Sequence, residues 1–198
     1  MWWKWVLCVL VPYLLGSISF GILYSRQKGH DIRSEGSHNT GASNALRVVG
    51  VKTGLLTFVS DVLKAVLAVL FGKWLLGEYG GMLAGLFVIV GHNWPVFFQF
   101  KGGKGIACSC AVLVLNFPLY GAIAIGLCLV VIAITRFISL GSITMLVSFA
   151  VIVLVFKPFF PCGVWAVLIA LLGIWRHRTN MDRLIHGKEN KISFQKKG

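Results

Sequence analysis

The sequence is poor in acidic residues and in charge of any kind. Asp and Glu together number 6 in 198 residues, and charged residues make up 13% of the chain, where a soluble domain carries about 25%. With so few carboxylates, a metal site built from carboxylate ligands is not expected. The G-x-S-x-G elbow of serine hydrolases and the H-E-x-x-H motif of zinc proteases are also missing. We therefore predict no metal site, and an enzyme with this composition would need a substrate that is already activated.

The five cysteines show no C-x-x-C pair and are odd in number. They fall in or beside apolar stretches, where thiols behave as small hydrophobic side chains. We expect neither a disulfide framework nor a metal site from them. These residues are Cys8, Cys108, Cys110, Cys128 and Cys162.

Hydrophobic residues make up 57% of the chain and gather into stretches near the roughly 20 residues that a helix needs to cross a bilayer. The first stretch begins beside three tryptophans, is long and lacks an A-x-A site, so a retained helix is favoured over a cleaved signal peptide. Segments 80–93 and 105–117 are apolar but short, and are either two helices or one broken helix. The clear spans are 3–25, 53–76, 119–135, 138–156 and 161–176.

The 19 Lys and Arg residues give a net charge of +13. No basic stripe alternates with aromatics, so nucleic acid is not an expected partner. With seven spans, 15 of the cations fall on one side of the membrane, 3 on the other and Lys64 within a span. This asymmetry predicts an all-α bundle of seven transmembrane helices, with the N-terminus outside and the C-terminus cytoplasmic. No soluble part is evident, so 1–198 is predicted to be a single domain.

The 26–52 loop is longer than an idle connection and contains "GSHNTGASNALR" at 36–47. Its glycines permit close backbone approach, its hydroxyls and amides supply donors, and its arginine supplies a planar fork suited to phosphate. The pattern indicates an anion cradle, and the alternative is an ordinary polar turn segment. The candidate residues are Ser37, His38, Asn39, Thr40, Gly41, Asn44 and Arg47.

The segment "KGGKG" at 101–105 places two ammonium groups on a flexible backbone before an apolar helix. The amides at that helix N-terminus add to the positive field. Lys101, Gly102, Gly103 and Lys104 therefore form a second candidate anion site, with a basic membrane-edge loop as the alternative. It is not a nucleotide-binding P-loop, because Gly rather than Ser or Thr follows Lys104.

Three further groups carry polar chemistry. Asp61 and Lys64 lie three residues apart on one helix face inside the second span, where they either orient the bundle or contact substrate. Ser142 opens the sixth span on the inner side. The inner end of the seventh span concentrates donors in His177, Arg178 and Asn180, and the tail from 187 is predicted to be a solvated basic end.

Six segments together resemble the bacterial acyl-phosphate:glycerol-3-phosphate acyltransferases. They are "GSISFG" at 16–21, the 36–47 loop, D-x-x-K at 61–64, "GHNWPVFFQFKGGKG" at 91–105, "LGS" at 140–142 and "HRTNMDRLIHGKE" at 177–189. The departure that matters is His38, which stands where the family pattern has Gly in the proposed cradle.

The resemblance implies transfer of a fatty acyl group from acyl phosphate to the 1-hydroxyl of sn-glycerol 3-phosphate, which gives lysophosphatidic acid and inorganic phosphate. It implies an enzyme of the bacterial cytoplasmic membrane, with its site toward the cytoplasm and membrane lipids around it. No cofactor and no obligatory protein partner are expected, and neither coenzyme A nor acyl carrier protein is the direct donor. The alternative is a phosphate or organic-anion transporter, which would bind its substrate near the bilayer midplane between repeated halves.

Roles follow as hypotheses. The segment "GSHNTGASN" at 36–44 and "KGGKG" would hold the acyl-phosphate head, with Lys104 offsetting charge on the leaving phosphate. The general base is either His177 or a phosphate oxygen of the donor. The residues that would position glycerol 3-phosphate are Arg47, Ser142, His177, Arg178 and Asn180.

Overall fold

The computed structural model describes residues 2–157 and 160–192, and no strand occurs among them. The chain separates into two compact units, Met1–Asn116 and Phe117–Gly198, which we call unit 1 and unit 2. That the two form a single domain remains a prediction.

Unit 1 contains five α-helices and one 3-10 turn. The helices are α1 (Trp2–Gly16), α2 (Phe20–Arg26), α3 (Ala42–Val48), α4 (Val51–Asn93) and α5 (Ile106–Asn116), and the 3-10 turn is Val96–Phe98. The predicted first span, 3–25, is divided by a break at 17–19 into α1 and α2. Segments 80–93 and 105–117 were predicted to be either two helices or one broken helix. In the structure they belong to two separate helices, α4 and α5.

Helix α4 doubles back on itself at Leu76 and Gly77, where the backbone leaves the helical region and Gly77 has φ +63°. The two arms pack closely, because a Cβ on Gly80 would overlap the carbonyl oxygen of Gly72. The predicted spans 53–76 and 80–93 are these two arms. Residues early and late in α4 are therefore neighbours in space.

Helix α1 packs against α4 through backbone contact. A Cβ on Gly16 would overlap the Val88 carbonyl, and a Cβ on Gly91 would overlap the Tyr13 carbonyl. The Tyr13 hydroxyl also donates to Trp94 O at 3.0 Å. These contacts fix the end of α1 beside the end of α4.

Unit 2 contains α6 (Pro118–Thr135), α7 (Ile138–Phe156), α8 (Phe160–Arg176) and α9 (Arg178–Ile185). Its core includes an aromatic cluster of Phe117, Phe149 and Trp165, with ring centroids 5.7–6.0 Å apart. The chain after α9 returns to the start of α7, where Ile192 N donates to Arg136 O at 2.9 Å.

Among the described residues, four helical stretches are long and apolar enough to cross a membrane: Trp2–Arg26, Val51–Phe98, Pro118–Thr135 and Ile138–Phe156. A fifth is possible if α8 and α9, bent by 60°, count as one span. Helix α5 is apolar but shorter. The protein is an all-helical, multi-pass membrane protein, and the number of seven crossings remains a prediction.

The tight turn of α4 predicts that Gly80→Ala destabilises the protein. The added methyl must displace backbone of the facing arm, and overpacking of this kind costs about 1–3 kcal/mol. Thermal unfolding in detergent measures the loss. Gly126→Ala on α6 is the control, because a Cβ has open space there; equal melting temperatures for the two variants would contradict the close packing of the arms.

Candidate functional site

The predicted anion cradle lies directly on α2. A Cβ on Gly21, the last residue of "GSISFG", would overlap the carbonyl oxygen of Thr40. Any side chain larger than hydrogen at this position would push the loop away. The "GSISFG" segment therefore determines how closely the loop packs on α2.

Asn44 shapes the cradle from within. Its side chain is fully buried, and Nδ2 donates to Ile32 O at 2.9 Å and to Glu35 O at 3.0 Å. Its Oδ1 accepts from the backbone N–H of Ser37 at 2.8 Å. Because its amide holds the loop backbone, the structure shows a loop-forming role, and its predicted contact with substrate remains a prediction.

Two ion pairs constrain the chain before the cradle. Arg33 donates to both carboxylate oxygens of Asp31, from Nε at 2.9 Å and from Nη2 at 2.8 Å. Hydrogen bonding from Arg33 lowers the pKa of Asp31 to about 2. His30 lies 3.0 Å from Glu35. Arg33 is thus engaged within the loop.

The remaining cradle residues differ in exposure. Thr40 is buried, and its Oγ1 makes no hydrogen bond in the part of the chain that the structure describes. Ser37, Asn39 and Gly41 are half-buried. Arg47 is exposed in the last turn of α3, at the same end of unit 1 as the start of α4.

His38 adopts a left-handed backbone conformation, with φ +56°. This conformation has a steric cost for L-residues but not for glycine. Glycine would therefore be favoured at this position. The imidazole is exposed, and its Nδ1 lies 3.2 Å from Arg33 O. His38 thus keeps the turn that glycine would form.

The loop 101–105 is laid on the last turn of α4. Gly103 N donates to His92 O at 3.0 Å. A Cβ on Gly102 would overlap His92 O, and a Cβ on Gly103 would overlap His92 Nε2. The loop then enters α5, so Lys101, which is exposed, and Lys104, which is half-buried, stand just before a helix N-terminus.

Asp61 and Lys64 form a buried ion pair, with Lys64 Nζ 2.8 Å from Asp61 Oδ1. His92 joins them, since its Nδ1 lies 3.1 Å from Lys64 Nζ. Asp61, His92 and Cys108 offer three metal-ligand atoms within 4.8 Å of one another. The positively charged Lys64 ammonium already lies beside two of these three residues, Asp61 and His92.

In unit 2, Ser142 and His177 are buried and anchored to their own helices. Ser142 Oγ donates to Ile138 O at 2.8 Å. His177 Nδ1 lies 2.8 Å from Gly173 O, and because a carbonyl only accepts, Nδ1 carries the proton. In the neutral ring, Nε2 is then the basic nitrogen.

Glu189 links Asn180 to the start of α7. Its side chain is 6% exposed and accepts hydrogen bonds from Asn180 Nδ2 at 2.7 Å, Arg183 Nε at 2.7 Å and Ser139 Oγ at 2.9 Å. Burial raises the pKa of Glu189, but the hydrogen bonds from Arg183, Asn180 and Ser139 outweigh it and lower the pKa below 4.5. The predicted solvated tail is therefore wrong at this residue.

Arg178 packs on Trp175. Its guanidinium carbon lies 4.6 Å from the centroid of the Trp175 ring, and Nη1 donates to Trp175 O at 3.2 Å. It is exposed, so its predicted role with substrate remains a prediction.

The structure thus places the predicted loops of unit 1 on α2 and on the last turn of α4, and in unit 2 it links Asn180 through Glu189 to Ser139, three residues before Ser142 on α7. Sequence reasoning did not single out three residues. His92 and Glu189 lie inside the quoted motifs but received no role. Asn93, in the same quoted segment as His92 and likewise without a role, is fully buried, with no hydrogen bond to either side-chain polar atom among the described residues.

Comparison with known proteins gives a consistent result. Residues 6–187 match the sequence model of the glycerol-3-phosphate acyltransferase family. The glycerol-3-phosphate acyltransferase of Thermoanaerobacter sp. (strain X514) is 44% identical over 188 residues, covering 94% of this chain and 95% of the relative. That of Finegoldia magna is 40% identical over 188 residues, covering 94% and 93%.

The fold is similar to crystal structures of PlsY (YgiH), an integral membrane glycerol 3-phosphate acyltransferase. Its glycerol 3-phosphate form superposes with a TM-score of 0.91 at 35% identity, covering 96% of this chain and 99% of that one. Its lysophosphatidic acid form gives 0.87 at 35% identity, covering 96% and 95%.

The left-handed turn at residue 38 predicts opposite effects for two substitutions. His38→Gly should raise the free energy of unfolding by about 1 kcal/mol, because glycine adopts positive φ without steric cost. His38→Val loses the same imidazole contact but places a β-branched residue there, so it should lower stability. Melting temperatures in detergent measure both effects. A Gly variant that is no more stable than the Val variant would contradict the left-handed conformation of residue 38.

The anchoring of Asn180 predicts a pH-dependent loss in Glu189→Gln. At pH 7 the variant should be less stable by about 1–3 kcal/mol, because hydrogen bonds to a charged group weaken. The folded carboxyl has a lowered pKa, so its stabilisation is present above pH 4.5 and is lost as the pH falls further. The difference between wild type and variant should therefore shrink below that pH.

The control is Glu78→Gln, which breaks an exposed pair with Lys73 and should cost at most about 1 kcal/mol. An equal loss in both variants, or a loss at Glu189 that persists unchanged in acid, would refute this anchoring role.

Proposed function

The chain belongs to the glycerol-3-phosphate acyltransferase family, and we propose that it transfers a fatty acyl group from acyl phosphate to the 1-hydroxyl of sn-glycerol 3-phosphate. The products are lysophosphatidic acid and inorganic phosphate, and the reaction is the first acylation of phospholipid synthesis. The loop 101–105 carries the proposal: two lysines and close-packed glycines stand before the N-terminus of α5, an arrangement suited to a phosphate group.

The chemistry suits a protein with few carboxylates and several cations. Acyl phosphate is a mixed anhydride and is already activated, so no cofactor is needed to drive the step. The 1-hydroxyl oxygen attacks the acyl carbonyl carbon, a C–O ester bond forms, and the C–O bond to phosphate breaks. The hydroxyl proton passes to a base, and inorganic phosphate leaves. Orientation and fixed positive charge can supply most of the acceleration.

The loops of unit 1 are assigned to the donor. Residues 36–44 of the cradle and Gly102–Gly103 would hold the acyl-phosphate head, with Lys101 beside it. Lys104 would offset the charge that develops on the leaving phosphate. Support comes from the backbone of both loops, which close contacts hold at Gly21 and at His92.

Glycerol 3-phosphate is assigned to a second set of residues. The arginines would bind its phosphate, and Ser142 and Asn180 would orient its glycerol hydroxyls. The tautomer of His177 leaves Nε2 as the basic nitrogen, which supports His177 as the base; a donor phosphate oxygen remains the alternative. The assigned residues are Arg47, Ser142, His177, Arg178 and Asn180.

We also propose seven membrane crossings, with the N-terminus outside and the C-terminus in the cytoplasm of a bacterial cell. The break in α4 at Leu76–Gly77 supports this number, because each arm then counts as one crossing and α5 as another. The distribution of Lys and Arg, 15 against 3, supports the orientation. Both proposed anion sites would then face the cytoplasm, where glycerol 3-phosphate is available.

The proposed function is tested with purified protein in detergent, palmitoyl phosphate and glycerol 3-phosphate. Phosphate release that requires both substrates, without coenzyme A or acyl carrier protein, is the expected result. Failure of release with several chain lengths, combined with anion uptake by the protein in liposomes, would instead identify a transporter.

Lys104→Ala should abolish phosphate release in folded protein, because the leaving phosphate loses its counter-charge. Losses of about 100-fold or more are typical when a group of this kind is removed. Lys28→Ala, on an exposed cation before the cradle, is the control and should keep its activity. Near-normal activity of Lys104→Ala would rule out the assigned role.

His177→Ala separates the two candidate bases. If His177 accepts the proton, the single-turnover rate at saturating glycerol 3-phosphate should fall by about 100-fold or more. If a phosphate oxygen accepts it, the variant should bind glycerol 3-phosphate more weakly and keep that rate. Single-turnover kinetics over a range of glycerol 3-phosphate concentrations distinguish the two outcomes.

A further inference from the structure

The ammonium of Lys64 is enclosed by four polar atoms from three segments of unit 1. It lies 3.0 Å from Gly16 O, 2.7 Å from Ile18 O, 2.8 Å from Asp61 Oδ1 and 3.1 Å from His92 Nδ1. The side chain is 3% exposed. An ammonium has three protons, and these partners already engage all of them. Lys64 is therefore badly placed to bind substrate directly.

Lys64 and Asp61 contact the same edge of the His92 ring. His92 Nδ1 lies 3.1 Å from Lys64 Nζ and 3.4 Å from Asp61 Oδ1. The ring is buried, so these two contacts contribute to its orientation.

The loop 101–105 rests on that oriented ring. Gly103 N bonds to the His92 carbonyl, and the α-carbon of Gly103 lies against Nε2 so closely that no Cβ fits. The α-carbon of Gly102 meets the same carbonyl. A tilt of the His92 ring would therefore displace the loop backbone.

We propose that Lys64 is a positioning residue that acts through His92 to hold the "KGGKG" backbone in its phosphate-binding geometry. This inference rests on the proposed function, in which that loop holds the acyl-phosphate head. It replaces the expectation that Asp61 and Lys64 bind substrate. Asp61 pairs with the ammonium inside an apolar helix pair, and Lys64 transmits the alignment of α1 and α4 to the loop.

Removing Lys64 alone would take the ammonium partner from the buried Asp61 carboxylate, and breaking a buried ion pair destabilises strongly. The informative variant is the double substitution Asp61→Asn with Lys64→Met, which neutralises both groups at similar volume and should fold. Lys73→Met is the matched control, because it breaks a Lys–Glu pair on the surface of the same helix. His92→Asn is an independent variant, which keeps an acceptor near Lys64 but removes the ring edge that faces Gly103.

Three measurements are made on full-length protein in detergent: melting temperature, hydrogen exchange of the peptide covering 101–105, and steady-state kinetics with palmitoyl phosphate. The double variant should melt near wild type, exchange faster in this loop, and show a KM for palmitoyl phosphate raised by about 10- to 100-fold. Its kcat should change much less. His92→Asn should reproduce the loop and KM effects, and Lys73→Met should match wild type.

A folded double variant with wild-type loop exchange and wild-type KM would overturn the proposal and leave the pair a purely structural role. If the double variant does not fold, His92→Asn decides by the same two readouts. If wild-type protein releases no phosphate, the proposed function fails, while the exchange of the loop still judges whether Lys64 and His92 hold it.

Discussion

The burial of the Lys64 ammonium is the constraint on which unit 1 depends. A charge enclosed within apolar helices is tolerated only when it is paired and hydrogen-bonded, so Asp61, His92 and the carbonyls at the end of α1 must converge on it. Their convergence requires α4 to double back and α1 to stop at Gly16. The same arrangement places "GSISFG" under the 36–47 cradle and His92 under the 101–105 loop. Both predicted anion loops are therefore positioned by one buried cation.

The distribution of charge in the chain supports the same function. All six carboxylates lie within 4 Å of a Lys, Arg or His partner in the structure, so acidic groups serve to fix local geometry. The Lys and Arg residues outnumber them by more than three to one, and several lie in the loops that carry the motifs. A protein of this kind has positive charge for external anions and little to hold a cationic ligand. The pairs are Asp31 with Arg33, Glu35 with His30, Asp61 with Lys64, Glu78 with Lys73, Asp182 with His186, and Glu189 with Arg183.

Helices that consist of one continuous apolar run could be predicted from the sequence alone. The predicted span 138–156 coincides with α7, Ile138–Phe156, because a run of this length without charge has no alternative in a membrane. The break at 17–19 was not predicted, since hydropathy does not register that Lys64, 46 residues away, donates a hydrogen bond to the carbonyl of Ile18. His92 and Glu189 were missed for the same reason: their roles arise from contacts between distant segments. The motifs located both loops that are proposed to bind anions. Only the backbone angle φ at His38 explained why glycine would be favoured at position 38.

The central claim is that this protein moves an acyl group between two phosphate-bearing molecules and needs no cofactor. The most direct measurement supplies purified protein with glycerol 3-phosphate and with palmitoyl phosphate whose bridging oxygen is ¹⁸O, and follows both products by mass spectrometry. The account predicts one lysophosphatidic acid for each phosphate released, with the label in the phosphate, because attack occurs at the acyl carbon. Label retained in a free fatty acid, or phosphate released without lysophosphatidic acid, would contradict it.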